Sequence, residues 1–171
     1  MRWMWIDKVV HHEPRQRLVA IKNVSLAEEH LHDHLPADEH HEHALPLMPA
    51  SLMIEGMAQT AGILVGTMTD FKEKVVLAKI AKATIDADVT PGQTIRYDAV
   101  IDRFDHAGAA TTGTVQRLRH AAPDEPAPAW ETIGTINLMF SHVDQNMAGL
   151  EFPEENFVFD AFGGFLASQK M

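Results

Sequence analysis

The chain has 171 residues, 46% of them hydrophobic, no cysteine and a formal net charge of −10. That is apolar content enough for one self-supporting core. The lack of cysteine excludes disulfides and thiolate-held metals, and the reducing cytoplasm is the expected setting. The negative balance offers no basic stripe to neutralise phosphates, which argues against nucleic acid as a partner.

The opening residues, MRWMWIDKVV, are apolar but become charged within a few positions, too soon for a signal peptide. Residues 3–10 and 17–24 are apolar runs flanking a polar segment with Pro14, and they predict an antiparallel strand pair. Trp3, Trp5 and Trp130 are expected in the core or an interface. Residues 25–47 read as irregular chain and hold six of the eleven histidines. His30, His32, His40 and His43 are expected to be solvated, because their spacing fits no defined metal-ligand pattern.

Residues 44–69, ALPLMPASLMIEGMAQTAGILVGTMT, carry one ionisable side chain, Glu55. Pro49 reads as the first helical position, and residues 50–67 as a helix apolar almost all round, hence buried on most faces. Glycines, Gln59 and Thr60 interrupt it too often for a membrane span. Glu55 and Gln59 are four apart and share a face. A carboxylate in such surroundings is costly to ionise, so it serves either as a hydrogen-bonded structural group or as a proton carrier. The helix alone leaves both readings open.

A strand is expected from near Val75, its second half alternating Ala83, Ile85, Ala87 and Val89 against Lys82, Thr84, Asp86 and Asp88. Thr90-Pro91-Gly92-Gln93 has the residues of a type II turn. Ile95, Tyr97, Ala99 and Ile101 mark one face of the next strand. Residues 109–119 form a weaker strand, and residues 130–141, after a Pro-rich loop, form the last. One long helix and about six strands predict an α+β fold, a curved antiparallel sheet wrapped round the buried helix. The open sheet edge predicts a homodimer with a continuous sheet. Residues 142–171 hold too many apolar side chains for a disordered end; they are expected to pack on the domain of residues 1–141 or on its partner.

Several pieces occur in a telling order: Ile6-Asp7-Lys8-Val9, Ala20-Ile21-Lys22-Asn23-Val24-Ser25, Asp33-His34-Leu35-Pro36 and Met48-Pro49-Ala50-Ser51-Leu52-Met53-Ile54-Glu55-Gly56-Met57-Ala58-Gln59. Leu77-Ala78-Lys79-Ile80 and Thr90-Pro91-Gly92 follow. Together they resemble the 3-hydroxyacyl-(acyl-carrier-protein) dehydratases of fatty-acid synthesis, which have the hot-dog fold. The resemblance implies a lyase reaction in which a loop histidine takes the C2 proton and a helix carboxyl group protonates the departing C3 hydroxyl. It implies His34 as base, with His41 as the alternative, and Glu55 as acid, contributed to one site by two subunits. The carboxyl pKa would be raised by apolar walls, and the N–H groups of Ala50 and Ser51 would polarise the thioester carbonyl. Met48, Pro49 and Gln59 complete the implied substrate-binding set, with Gln59 orienting Glu55. Met53 and Met57 are expected to line the acyl channel or pack beneath it.

The implied partner is acyl carrier protein with its 4'-phosphopantetheine-linked acyl group, met by Lys72, Lys74, Lys79 and Lys82. The implied assembly is a homodimer or a trimer of dimers, with no cofactor, metal, nucleic acid or membrane. Two departures matter. His34 lies 21 residues before Glu55, farther than the family spacing, so residues 37–44 read as a loop insertion; read without a gap, His41 takes the family position. Ala50 stands where the family normally has Gly. A hot-dog thioesterase and a non-catalytic acyl-binding protein are the alternative readings.

Overall fold

The apolar segment does form one helix with a sheet curled round it. The computed structural model describes residues 4–40, 42–119 and 129–142. Within them are strands β1 (Lys8–Glu13), β2 (Arg17–Asn23), β3 (Val75–Ile85), β4 (Thr94–Asp105), β5 (Gly108–Leu118) and β6 (Trp130–His142), and helices α1 (His30–Asp33) and α2 (Ala50–Thr67). The strand order is β1-β2-β4-β5-β6-β3, with every pairing antiparallel. Helix α2 packs on strands β2 to β6. This is the hot-dog architecture.

Burial explains where α2 sits. Residues 56–58 and 60–66 of the helix are buried against the inner face of the sheet, where Ile95, Tyr97 and Ala99 of β4 are wholly inaccessible. Each large apolar side chain enclosed this way contributes roughly 1.5–3 kcal/mol, so this half of the helix is the anchor of the domain. Gly56 permits a close approach to β4: a Cβ there would strike the Tyr97 ring. The entrance to α2 is tied down by the Met48 N–H, which donates to the Val89 carbonyl at 2.8 Å. Val89 lies just past β3, ahead of a turn closed by Gln93 N–H to Thr90 O at 3.2 Å, with Gly92 at φ 85° as a type II turn requires.

Several expectations are corrected. Helix α2 starts at Ala50, because Pro49 keeps an extended ψ of 132° while its carbonyl accepts from Leu52 and Met53. Pro49 is thus the residue before the first helical one. The first strand starts at Lys8, later than residue 3. Trp5 and Ile6 are buried ahead of it, and the Trp5 N–H is spent on α2 instead of a strand ladder. Residues 25–47 include a helical turn, α1, pinned by Leu31 in the core. Strand β3 stops at Ile85, and most of it is exposed as a sheet edge, with register shifts after Leu77 and Ile80. His142 belongs to β6: it is buried edge-on to Phe104, with Nδ1 2.9 Å from the Glu73 carboxylate. Trp3, the Pro-rich loop and residues 143–171 lie outside the described residues.

Candidate functional site

Glu55 is on the first turns of α2, where the helix has not yet entered the core. It is half-buried, in contrast to the fully enclosed residues that follow it. The apolar wall expected around it is therefore incomplete in the single chain. One turn on, Gln59 Nε2 donates to Glu55 Oε1 at 2.9 Å, and Gln59 Oε1 accepts the Trp5 backbone N–H at 2.8 Å. The second bond fixes the amide, since a backbone N–H can only donate. Gln59 must then present its NH2 to Glu55, and Oε1 of Glu55 must accept. Oε2 has no hydrogen-bond partner among the described residues.

At the start of the same helix, Ala50 and Ser51 are exposed, and among the described residues their N–H groups have no acceptor. These are the two N–H groups that a helix without a side-chain cap leaves open. Met48, Pro49, Met53 and Met57 are buried, the three methionines in the core cluster. In this chain the methionines pack the wall beneath the site and do not stand open on its surface.

The histidine-bearing turn is held by polar ties. Lys22 of β2, 6% exposed, places Nζ 2.5 Å from Glu28 Oε1 and 2.8 Å from the Asn23 carbonyl, with Asp7 at 3.6 Å. Glu28 Oε2 in turn accepts the Ser25 N–H at 3.2 Å, and Ser25 Oγ accepts that of Ala27. Helix α1 follows directly. His34 caps it, its N–H donating to the His30 carbonyl at 3.1 Å, and its side chain is exposed. No hydrogen bond or ion pair joins His34 to Glu55 among the described residues. His41 lies outside them.

His30 was expected in solvent and is not there. It is half-buried, its ring edge-on to Trp5 with centroids 5.0 Å apart, and burial lowers its pKa, opposed by Glu28. Only tertiary contact with Trp5 reveals it; no local pattern in residues 25–47 could. His32 is exposed, with Nε2 2.7 Å from the Leu26 carbonyl, and His40 and His43 are exposed. Lys72, Lys79 and Lys82 are exposed and Lys74 half-buried, along the turn into β3 and on its edge. Among the described residues no group of three His, Asp or Glu side chains is arranged to hold a metal, and no helix is long and apolar enough to cross a membrane. What the geometry offers is a carboxyl group with one free oxygen, two open helix N–H groups and an exposed imidazole.

A FabA-like domain matches residues 2–118 of the chain. The 3-hydroxyacyl-(acyl-carrier-protein) dehydratase FabZ of Ruminiclostridium cellulolyticum is 36% identical over 100 residues, which span 58% of this chain and 66%, just under two thirds, of that protein. Two solved structures share the fold. A thioesterase family protein from Silicibacter pomeroyi has a TM-score of 0.58 at 11% identity, covering 78% of this chain and 82% of that one. The dehydratase heterocomplex ApeI:P from Xenorhabdus doucetiae also has a TM-score of 0.58, at 13% identity, covering 94% and 90%. One fold thus serves proteins of both descriptions; by the match over residues 2–118, this chain belongs to the FabA-like domain family.

Proposed function

We propose that the chain is a dehydratase that removes water from a 3-hydroxyacyl thioester to give the trans-2-enoyl thioester. The observation that carries this reading is the fixed Gln59 amide, which commits Oε1 of Glu55 to accepting and leaves Oε2 for a proton. In the proposed reaction the His34 imidazole takes the C2 proton, and the electron pair forms the C2–C3 double bond. The C3 hydroxyl leaves as water with the proton from Glu55 Oε2. The N–H groups of Ala50 and Ser51 receive the negative charge that grows on the thioester oxygen. His34 and Glu55 then regain their starting states by passing one proton between them through solvent.

The exposure of His34 in the single chain supports a site shared by two copies, with His34 of one protomer serving Glu55 of its partner. The exposed edge strand β3, with Val76, Leu77 and Ile80 open, supports pairing there. Light scattering at micromolar concentration should give a dimer or a multiple of it; a monomer overturns the shared site. For the acyl carrier, Lys72, Lys79 and Lys82 offer the charge that an acidic carrier protein requires, against the chain's overall −10. Adding salt should then raise the KM for the protein-bound substrate more than for a coenzyme A thioester.

A second reading is a thioesterase, favoured by the S. pomeroyi fold match. There Glu55 would activate water, and no loop histidine is needed. Incubation with crotonyl and longer 2-enoyl thioesters separates the two: hydration of the double bond supports the dehydratase, thiol release supports the thioesterase, and neither leaves a non-catalytic acyl-binding protein.

A further inference from the structure

The proposed reaction has no task for His30, yet His30 is the residue that touches both halves of the site. It opens the helical turn that His34 closes, through the 3.1 Å bond from the His34 N–H to the His30 carbonyl. On its other side its ring stands at 80° to the Trp5 indole. Trp5 is 6% exposed and holds Gln59, which holds Glu55. A contiguous chain of contacts thus runs from the histidine turn to the carboxyl group: His34, His30, Trp5, Gln59, Glu55. His30 Nε2 is buried and has no hydrogen-bond partner among the described residues. A buried, unpartnered imidazole nitrogen costs stability unless the ring's placement is useful elsewhere.

We propose that His30 is a positioning residue, a neutral imidazole wedged against Trp5 that sets the Gln59 amide, and through it Glu55, in register with the turn bearing His34. The inference deepens the dehydratase reading for its rate arm and stands independently of it for its structural arm.

Neutrality is part of the device. The charged groups around His30 are Glu28 in the turn before α1, Lys22 of β2 with Asp7 beside it, and His34 after α1. Burial, Lys22 and His34 disfavour the imidazolium, and Glu28 only partly offsets them. The folded pKa therefore lies below the ordinary value for histidine. The stability contribution of neutral His30 is complete above that ordinary value and is lost as pH falls through the lowered one. Protonation would place a cation in a half-buried site with Lys22 nearby, so acid should loosen the site.

The test compares His30→Ala and His30→Phe in the full-length protein. The first readout is solvent exchange of the Gln59 side-chain amide protons by NMR, which needs no substrate. His30→Ala should speed that exchange about tenfold or more, and His30→Phe, which restores an aromatic edge against Trp5, should return it to within about twofold of the parent. The second readout is hydration of a crotonyl thioester. His30→Ala should lower kcat by about ten- to a hundredfold with KM little changed, and His30→Phe should recover most of it while flattening the acid limb of the pH profile. Unchanged amide exchange in His30→Ala overturns the proposal, and so does a Phe variant no better than Ala. Should His30→Ala not fold, His30→Gln replaces it: Phe must hold the Gln59 amide and Gln must release it, and the reverse overturns the proposal. If the parent neither hydrates nor hydrolyses, the reaction reading falls while the exchange measurement still decides the role of His30.

Discussion

Two adjoining stretches of this chain are held in opposite ways. Residues 56–66 of α2 are fixed by apolar enclosure on the inner face of the sheet, with Ile63, Leu64 and Val65 wholly inaccessible. Residues 25–47, which carry the histidines, are mostly exposed and are fixed by Leu31 and a few polar ties through Lys22, Glu28 and Ser25. Enclosure supplies free energy without choosing a side-chain orientation, whereas polar ties choose orientation and supply less free energy. Glu55 lies at the junction, on the rigid helix but oriented by Gln59 and Trp5. The scaffold and the chemistry are therefore separable, and substitutions should reveal that.

The largest effect is expected at the pair assigned to the reaction. Glu55→Gln keeps an oxygen for the Gln59 amide but cannot give a proton, and His34→Ala removes an exposed side chain. Each variant should stay folded and assembled yet lose turnover by about two to four orders of magnitude, as is usual for general acid–base groups. The losses should not add in the double variant, because both groups serve one elimination. A near-silent Glu55→Gln would make the carboxylate structural. Loss of turnover in His41→Ala, with His34→Ala active, would move the base to His41 and leave the reaction class standing.

Next comes the scaffold. Leu64→Ala opens a cavity in a fully inaccessible site and should cost about 2–5 kcal/mol in urea unfolding. Turnover per folded molecule should change little. A large fall in turnover at conditions where the protein is fully folded would show that core and site are not separable.

Lys22→Met inverts that pattern. It leaves Glu28, whose side chain is 23% exposed, without its cation, and should cost about 1–3 kcal/mol. The turn it anchors carries His34, so turnover should fall about tenfold, out of proportion to the lost stability. Equal, small effects on both would mean that Leu31 alone holds the turn.

The contrast also explains what the amino-acid pattern could convey. The extent of α2, the turn at Thr90–Gln93 and the inner face of β4 follow from local rules: helix formers without proline, Pro and Gly at fixed turn positions, and alternation at Ile95, Tyr97 and Ala99. The edge strands obey no such rule. β1 pairs with one neighbour and β3 is exposed along most of its length, so apolar runs near them do not mark their limits. Trp5 reads as a strand residue and is instead a brace for Gln59. His30 reads as solvated because its partner is 25 positions away in sequence. Glu55 and Gln59 were legible as a pair because four residues is a helical repeat. What fixes the direction of the Gln59 amide was not, since that depends on a backbone group from the other end of the fold.

The smallest effect is expected from removing residues 37–44. The Leu45 N–H donates to the Leu35 carbonyl at 2.9 Å, so the chain before and after this segment already meets. The described residues between 36 and 45 are exposed, and their side-chain ties include local ones: the His40 N–H donates to Asp38 Oδ1 at 2.8 Å, and His40 Nε2 lies 3.5 Å from the Glu39 carboxylate. Shortening such a loop changes closure entropy by less than about 1 kcal/mol. The deletion variant should therefore unfold within a few degrees of the parent by circular dichroism, a shift of about that free energy. It also lacks His40, His41 and His43, which makes it a second examination of the base. Retained turnover would place the base outside the loop and leave His34 as the assigned group. A folded but inactive deletion variant would return the assignment to His41, and an unfolded one would show that this loop is part of the scaffold after all.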